Sequence, residues 1–143
     1  PTPYPSGRIL TTPLQMMSPT APEPNKALIW HLYSSQAYGI FHGDLDFYFG
    51  GWDGRDRMGS INTKKCPVFM LTGEYDWSNT PEMAQATADK IPGAKHKSMP
   101  GLGHFPATEN PKLFVPHLLE AVEWIQNERK KHSDVTLLRM IDD

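Results

Sequence analysis

From Cys66 to Lys131 the sequence alternates short β-prone runs with helical segments, and this order limits the fold more than any other feature. The run CPVFMLTG, closed by Gly73, predicts a short buried strand, and the polar run AKHKSM predicts a second one. Strands separated by a single helix pair in parallel, so the order strand, helix, strand, helix predicts an α/β fold. Two strands cannot form such a sheet alone, and further strands are expected from elsewhere.

The segment between the two predicted strands, NTPEMAQATADKIPG, carries signals for both ends of a helix. Thr80 is an N-cap candidate, Pro81 occupies the first helical position, and a Pro-Gly pair follows the last turn. These signals predict a helix from Pro81 to about Lys90.

Helical patterns occur in three other parts of the chain. The predicted spans are Asn25, as N-cap, to about Tyr38; Asp44 to Phe49; and Pro111 to about Lys131. In the last span, Pro116 is expected to begin the helix afresh, because an interior proline costs about 3 kcal/mol. Its predicted apolar stripe consists of Leu118, Leu119, Val122 and Ile125.

Composition restricts the kinds of partner. There are 14 Lys and Arg against 16 Asp and Glu, for a formal net charge of −2, which argues against nucleic-acid and anionic-membrane binding and favours small-molecule or protein partners. Cys66 is the only cysteine, so a reducing compartment, the cytoplasm, is favoured but not required. No apolar run approaches the roughly 20 residues of a membrane-spanning helix. The chain begins with Pro1 rather than Met, which suggests a processed chain or a piece of a longer one.

Two ionisable residues follow the predicted strands. Asp76 comes three residues after Gly73, and His104 follows the second strand within the turn MPGLGHFPATENP. In open parallel sheets ligands bind outside the carboxyl ends of the strands, so these two side chains are expected to converge. A carboxylate that accepts a hydrogen bond from one imidazole nitrogen leaves the other nitrogen free to take a proton from a nucleophile.

Plainer interpretations exist for the same residues. His104 could be a packed turn histidine, and Asp76 could form an Asx turn with Ser78 and Asn79. Rival acids lie earlier in the chain: Asp44, Asp46, Asp53 and Asp56. The remaining histidines lack metal-ligand spacing, and neither a metal nor a cofactor is expected: His31, His42, His96, His117 and His132.

The segments CPVFMLTGEYDWSNTPE and IPGAKHKSMPGLGHFPATENPKLFVPHLLEAVEWI resemble the C-terminal half of the α/β-hydrolase fold family. This resemblance implies that Asp76 is the acid and His104 the base of a catalytic triad. It also implies a mainly helical lid (25–60) and the C-terminal strands and helices of the core (61–131). Composition marks 1–24 as a Pro-rich connector, and a tail (132–143) remains.

The family's nucleophile normally lies in a G-x-S-x-G elbow in the N-terminal half, and neither the serines nor Cys66 show that spacing here. The resemblance therefore implies that this chain works with an N-terminal half, on a separate chain or a missing segment. The implied activity is that of a serine-type esterase or lactonase, acting on an ester, lactone, thioester or activated carbon–carbon bond of a mostly apolar small molecule.

Aromatic residues near the predicted site are candidates for substrate binding: Trp77, Phe105, Trp52 and Tyr48. The aromatic stretch as a whole is typical of a lid but equally of a small satellite core: Tyr33, Tyr38, Phe41, Phe47, Tyr48, Phe49 and Trp52. Two other functions stay open. The chain could belong to a non-catalytic receptor or be an inert fragment of this fold, or an Asp nucleophile could give epoxide or haloalkane hydrolysis. Self-association is also left open.

Overall fold

The computed structural model describes residues 15–37, 39–51 and 53–141. Within them lies one sheet of two parallel strands, β1 (Phe69–Gly73) and β2 (Lys95–Met99). The register pairs Phe69 with Lys95 and Gly73 with Met99. Both predicted strands and their parallel pairing are confirmed, and the fold is mixed α/β.

Five α-helices are defined in the described part of the chain, and two of them, the crossover helix and the long last helix, contact the strands. In chain order they are α1 (Glu23–Ser34), α2 (Ile40–Asp46), α3 (Pro81–Ala88), α4 (Pro106–Glu109) and α5 (Pro111–Ile141). The crossover helix α3 begins as predicted, because the Thr80 side chain accepts a hydrogen bond from the amide of Met83 and Pro81 occupies the first turn. It packs on both strands.

The predicted start and end of α1 are wrong. The helix begins at Glu23 behind Pro22, and the Asn25 side chain donates to the carbonyl of Glu109 instead of capping. The helix ends at Ser34, four residues before the expected end. The hydroxyls of Ser34 and Ser35 both donate to the carbonyl of His31, which competes with the backbone hydrogen bonds that would continue the helix.

The aromatic segment, residues 39–51, differs from the predicted helix at Asp44 to Phe49. Helix α2 precedes most of that span, and a π-helical turn follows at Phe47–Gly51. A 3₁₀ turn comes next at Arg55–Ser60. Tyr38, Trp52 and the side chain of Phe41 lie outside the described residues.

The last helix is longer than predicted, and Pro116 lies inside it. The Asn110 side chain accepts from the amide of Leu113 at 3.2 Å, so the helix is already capped one turn before the proline. The residues after Lys131 include no glycine or proline, which lets the helix continue to Ile141. The short helix α4 was not predicted.

The core lies where α1, α5 and the sheet meet the loop after β2. Its fully buried side chains include Ile29, Met99 and Leu102. Helix α5 covers the sheet through Ala121 and an edge-on contact between Trp124 and Phe69, with ring centroids 5.5 Å apart. The predicted stripe is therefore displaced, and most of its side chains are exposed, because the two described strands leave part of α5 uncovered: Leu118, Leu119 and Val122.

Candidate acid–base site

The loops that follow β1 and β2 are bonded to each other before any side chain is involved. The amide of Glu74 donates to the carbonyl of Met99 at 3.1 Å, and the amide of Tyr75 donates to the carbonyl of Leu102 at 2.9 Å. These bonds continue the pairing of the strands past their carboxyl ends. Asp76 and His104, one on each loop, are thereby held on a common backbone frame.

Close approach of the two loops depends on glycine. A Cβ built on Gly73 would lie 2.2 Å from the carbonyl oxygen of Gly103, and one on Gly103 would lie 2.5 Å from the carbonyl oxygen of Met16. These neighbours are backbone atoms that cannot rotate away. The two glycines therefore set the spacing between the loops that carry Asp76 and His104.

The Asp76 carboxylate is buried and accepts four hydrogen bonds. Its Oδ1 accepts from the Ser78 amide at 3.0 Å, the Ser78 hydroxyl at 2.7 Å and the Asn79 amide at 3.0 Å. Its Oδ2 lies 2.8 Å from Nδ1 of His104. The Asx-turn interpretation thus describes Oδ1 of Asp76, and the acid–base interpretation describes Oδ2 of the same carboxylate.

Electrostatics favour the charged form of this carboxylate. Burial alone would raise the pKa of Asp76, but the hydrogen bonds from His104, Ser78 and Asn79 outweigh it and hold the pKa below its ordinary value. The carboxylate therefore stays ionised opposite the imidazole. It is suited to accept a hydrogen bond from a protonated Nδ1 and to stabilise an imidazolium.

His104 is oriented by contacts on both its backbone and its ring. Its amide donates to the carbonyl of Met16 at 2.9 Å, and its ring packs edge-on against Phe105 with centroids 4.8 Å apart. About a quarter of the side chain is exposed, 28%. With Nδ1 bonded to Asp76, the lone pair of the neutral ring lies on Nε2.

The four predicted substrate-binding residues have different surroundings. Phe105 contacts both His104 and Tyr33, whose ring centroid is 5.2 Å from that of Phe105. Trp77 follows the acid and is about half exposed. Tyr48 is exposed and lies edge-on to Phe47, with ring centroids 6.0 Å apart. Trp52 is outside the described residues.

Three residues at the site were missed as site residues. Glu109 accepts backbone amides on both sides of His104, Ser78 bonds to Asp76, and Tyr33 reaches Phe105 from α1. Burial raises the pKa of the Tyr33 hydroxyl, assisted by the nearby charge of Asp44. A turn signal around Ser78 was visible in the sequence, whereas nothing in the sequence indicated that Glu109 would be buried.

The rival acids are placed differently from Asp76. Asp53 forms an exposed ion pair with Arg55, whose hydrogen bonds lower the pKa of Asp53 to about 2. His96 bonds through Nδ1 to Gln85, away from the acid–base pair. Among the described residues no group of three or more His, Cys, Asp or Glu side chains is arranged to hold a metal ion.

Two parallel strands, a crossover helix and a long helix after the second strand define the class of fold, a mixed α/β architecture. A solved structure with a similar fold is that of Est816, an N-acyl homoserine lactone degrading enzyme, with a TM-score of 0.64 and 24% sequence identity. The match covers 80% of this chain and 46% of that structure, so the chain spans about half of its length. The likeness shows the fold.

No protein-family model matches the sequence, and no curated protein matches it. Across the described ranges, no helix has the length and apolar character needed to cross a membrane.

Proposed function

We propose that this chain is the C-terminal part of an α/β-hydrolase-fold enzyme that opens a lactone or cleaves an ester of a mostly apolar small molecule. One observation carries the proposal. At the carboxyl ends of adjacent parallel strands, Oδ2 of a buried Asp76 lies 2.8 Å from Nδ1 of His104. A lactone is favoured among the acyl substrates because the structurally similar Est816 is described as lactone-degrading.

The proposed chemistry uses His104 as a base and then as an acid. Asp76 keeps the proton on Nδ1, so Nε2 takes the hydroxyl proton of a serine as the serine oxygen attacks the acyl carbon. The imidazolium then returns this proton to the ring oxygen of the lactone as the acyl–oxygen bond of the substrate breaks. Water, deprotonated by Nε2, next attacks the acyl-enzyme, and the serine leaves with the proton. The serine and the oxyanion-hole donors would come from a segment outside residues 1–143.

The surroundings of the imidazole support an apolar substrate. Phe105 and Tyr33 form an aromatic pair beside His104, linking the site to α1. The two rings can exclude water from the acyl chain of a substrate. Because water is also excluded around the imidazole, the hydrogen bond between Asp76 and His104 becomes stronger. We propose that Trp77 lines the same pocket from the acid-bearing loop.

The test uses the natural protein that carries this chain together with its nucleophile. We expect it to hydrolyse acyl lactones and to be labelled by a serine-directed phosphonate. His104→Ala should abolish both turnover and labelling, and His31→Ala, a matched change on the exposed side of α1, should abolish neither. An absence of labelling and turnover would favour a non-catalytic binding protein. Turnover of an epoxide without labelling would favour an Asp nucleophile.

We also propose that an N-terminal segment of the same protein covers the outer edge of β1 and one flank of α5. Strand β2 carries Lys95 and Lys97, which suit a sheet edge, while β1 is apolar and pairs on one side only in the described chain. The α5 flank, defined as Val115, Leu118 and Val122, is 40–44% exposed. Est816 has more than half of its length beyond the match, enough chain to cover both surfaces.

A single variant distinguishes a covered flank from an exposed one. Residues 1–143 expressed alone should self-associate and melt without cooperativity, and Leu118→Glu should reduce that association. In the natural protein the same change should lower the free energy of unfolding by about 3 kcal/mol, because it buries a charge. Asn127→Glu, an exposed position on the opposite face of α5 two and a half turns further along, should change neither property. A cooperative melt of monomeric residues 1–143 would contradict the proposal.

A further inference from the structure

Glu109 is a fully buried carboxylate whose described partners are backbone amides. Its Oε2 accepts from the amide of Gly103 at 2.8 Å and from the amide of Ser18 at 3.0 Å. Its Oε1 accepts from the amide of Phe105 at 2.8 Å. The side chain has no exposed surface. Burying a carboxylate is costly, and three amide donors directed at it offset that cost.

These donors surround the base. Gly103 and Phe105 are the residues immediately before and after His104, and each donates to a different oxygen of Glu109. The amide of His104 itself donates to the carbonyl of Met16. Three consecutive amides of the loop are thus fixed by one carboxylate and the segment it holds, which leaves the imidazole little freedom except rotation about its own side-chain bonds.

Segment 16–18 is held in the same cluster. The amide of Ser18 bonds to Glu109, two residues after the carbonyl that receives the His104 amide. Gly103 fits between them with no room for a Cβ, which would lie 2.8 Å from Oε1 of Glu109. Helix α1 joins through Asn25, whose side chain donates to the backbone carbonyl of Glu109 at 2.9 Å. Glu109 therefore connects the loop of His104 to two segments that lie 91 and 84 residues away in sequence.

We propose that Glu109 is a positioning residue that sets the direction of the His104 ring toward Asp76 and toward the nucleophile. It acts on the backbone of residues 103–105 and takes no part in proton transfer. This inference rests on the proposed function for its effect on turnover. Its effect on the ring of His104 follows from the structure alone, so the two can fail separately.

A carboxylate accepts at both oxygens, whereas a carboxamide accepts at only one. Glu109→Gln therefore keeps nearly the same side-chain shape. Its NH₂ group, which can only donate, then faces at least one backbone N–H. In the natural protein we expect kcat to fall about 10²-fold with KM unchanged, because the base is displaced while the binding surface is kept. The matched control is Glu74→Gln, which alters an exposed carboxylate that accepts the amide of Gly101 in the same loop, and it should leave kcat unchanged.

A spectroscopic measurement separates positioning from simple stabilisation. ¹⁵N resonances of the His104 ring should show a proton held on Nδ1 in the unmodified protein and in Glu74→Gln. In Glu109→Gln they should show a mixture of tautomers at a temperature where the protein is fully folded. Unchanged ring resonances together with unchanged kcat in a folded Glu109→Gln variant would overturn the proposal.

If the unmodified protein turns over no substrate, the proposed function fails, and the ring resonances still decide the role of Glu109. If Glu109→Gln does not fold, Glu109→Asp replaces it, because the shorter side chain keeps the charge but draws the carboxylate away from the amides of Gly103 and Phe105. A mixture of ring tautomers in folded Glu109→Asp supports the proposal, and ring resonances like those of the unmodified protein overturn it.

Discussion

The loop that carries His104 and the aromatic segment 39–51 are both glycine-containing stretches with aromatic side chains, yet their bonding differs. In the loop, Leu102, Gly103 and Glu109 are buried, and two bonds tie the loop to a distant segment: the amide of His104 donates to the carbonyl of Met16, and Glu109 accepts from the amide of Ser18. In the aromatic segment the hydrogen bonds are local, as from the amide of Gly43 to the carbonyl of Gly39. Its large side chains are exposed: Phe47 by 59%, Tyr48 by 74% and Phe49 by 86%.

This difference separates two requirements of the hydrolytic site that we propose. Proton transfer needs groups held within a few tenths of an ångström, and the chain builds that geometry from its own backbone. Enclosing a substrate needs apolar surface that closes over it, and segment 39–51 presents such surface without covering it. The rigid part of the site is internal to this chain, and the enclosing part would depend on another segment or on the substrate.

The largest expected effect is that of Asp76→Asn in the natural protein. An amide cannot hold the proton on Nδ1 of His104, so kcat should fall about 10⁴-fold, as in serine hydrolases with the same arrangement. The control is Asp46→Asn, which changes a rival acid within segment 39–51 and should leave kcat unchanged. Near-normal turnover in Asp76→Asn, or a large loss in Asp46→Asn, would reverse the roles given to the two regions.

Two glycine substitutions compare the packing of the regions directly. Gly73→Ala should lower the free energy of unfolding by about 3 kcal/mol, because its Cβ meets the backbone of Gly103 and Leu102. Gly50→Ala should not lower it, since a Cβ there meets nothing within 4 Å. Urea unfolding of both variants measures the difference. Equal losses would show that segment 39–51 is as tightly packed as the loop.

Ser78→Ala tests how far the carboxylate depends on its neutral partners. The variant loses the hydroxyl bond to Asp76 but keeps the bond from His104, so kcat should fall on the order of tenfold. Ser34→Ala, on the exposed surface of α1, is the control in the same kinetic assay. A loss as large as that of Asp76→Asn would mean that the Ser78 hydroxyl acts on His104 itself, from which it lies 3.3 Å away.

Ser78→Ala should also change how the free energy of unfolding depends on pH under acidic conditions. Because the pKa of Asp76 is lowered in the folded protein, its ionised form stabilises the fold above the unfolded pKa of about 3.9, and this stabilisation is lost as pH falls through the folded pKa. Ser78→Ala raises the folded pKa toward the unfolded one, so the acid-unfolding midpoint should move to higher pH. A midpoint that stays in place, followed by circular dichroism, would contradict this account.

The smallest effect is expected at the most exposed aromatic side chain. Phe49→Ser should change the free energy of unfolding by less than about 0.5 kcal/mol, because the ring is largely in solvent. Thermal melting of the natural protein measures it. A loss comparable to that of Gly73→Ala would show that another segment of the protein packs on this ring.

Local signals in the sequence predicted much of the fold's second half. The apolar run before Gly73, the cap at Thr80 and the proline after it are short-range features, and the structure follows them. The convergence of Asp76 and His104 was expected from the rule that parallel strands bring their carboxyl ends to one edge, and the two side chains lie 2.8 Å apart. Their catalytic role remains a proposal.

Features that depend on distant contacts were not predictable in this way. Asn25 has the side chain of a helix cap, but the carbonyl of Glu109, 84 residues away in sequence, takes its hydrogen bond and the helix begins earlier. The expectation at Pro116 was wrong for a local reason, because the helix is already capped by Asn110 and continues through the proline. A buried Glu109 could not be recognised before the amides of residues 18, 103 and 105 were known to meet there.

The sequence by itself determined both strands, the crossover helix and the long last helix, though not the short α4, and it placed an acid and a histidine after the strand ends. Periodicity, caps and turn residues act within a few residues, so the sequence shows them directly. Only the tertiary structure decided which atoms of Asp76 and His104 face each other and which carboxylate holds the base loop. Those outcomes depend on groups brought together from residues 16–18, 73–79 and 102–109. Short-range sequence patterns carry no information about contacts between such distant segments.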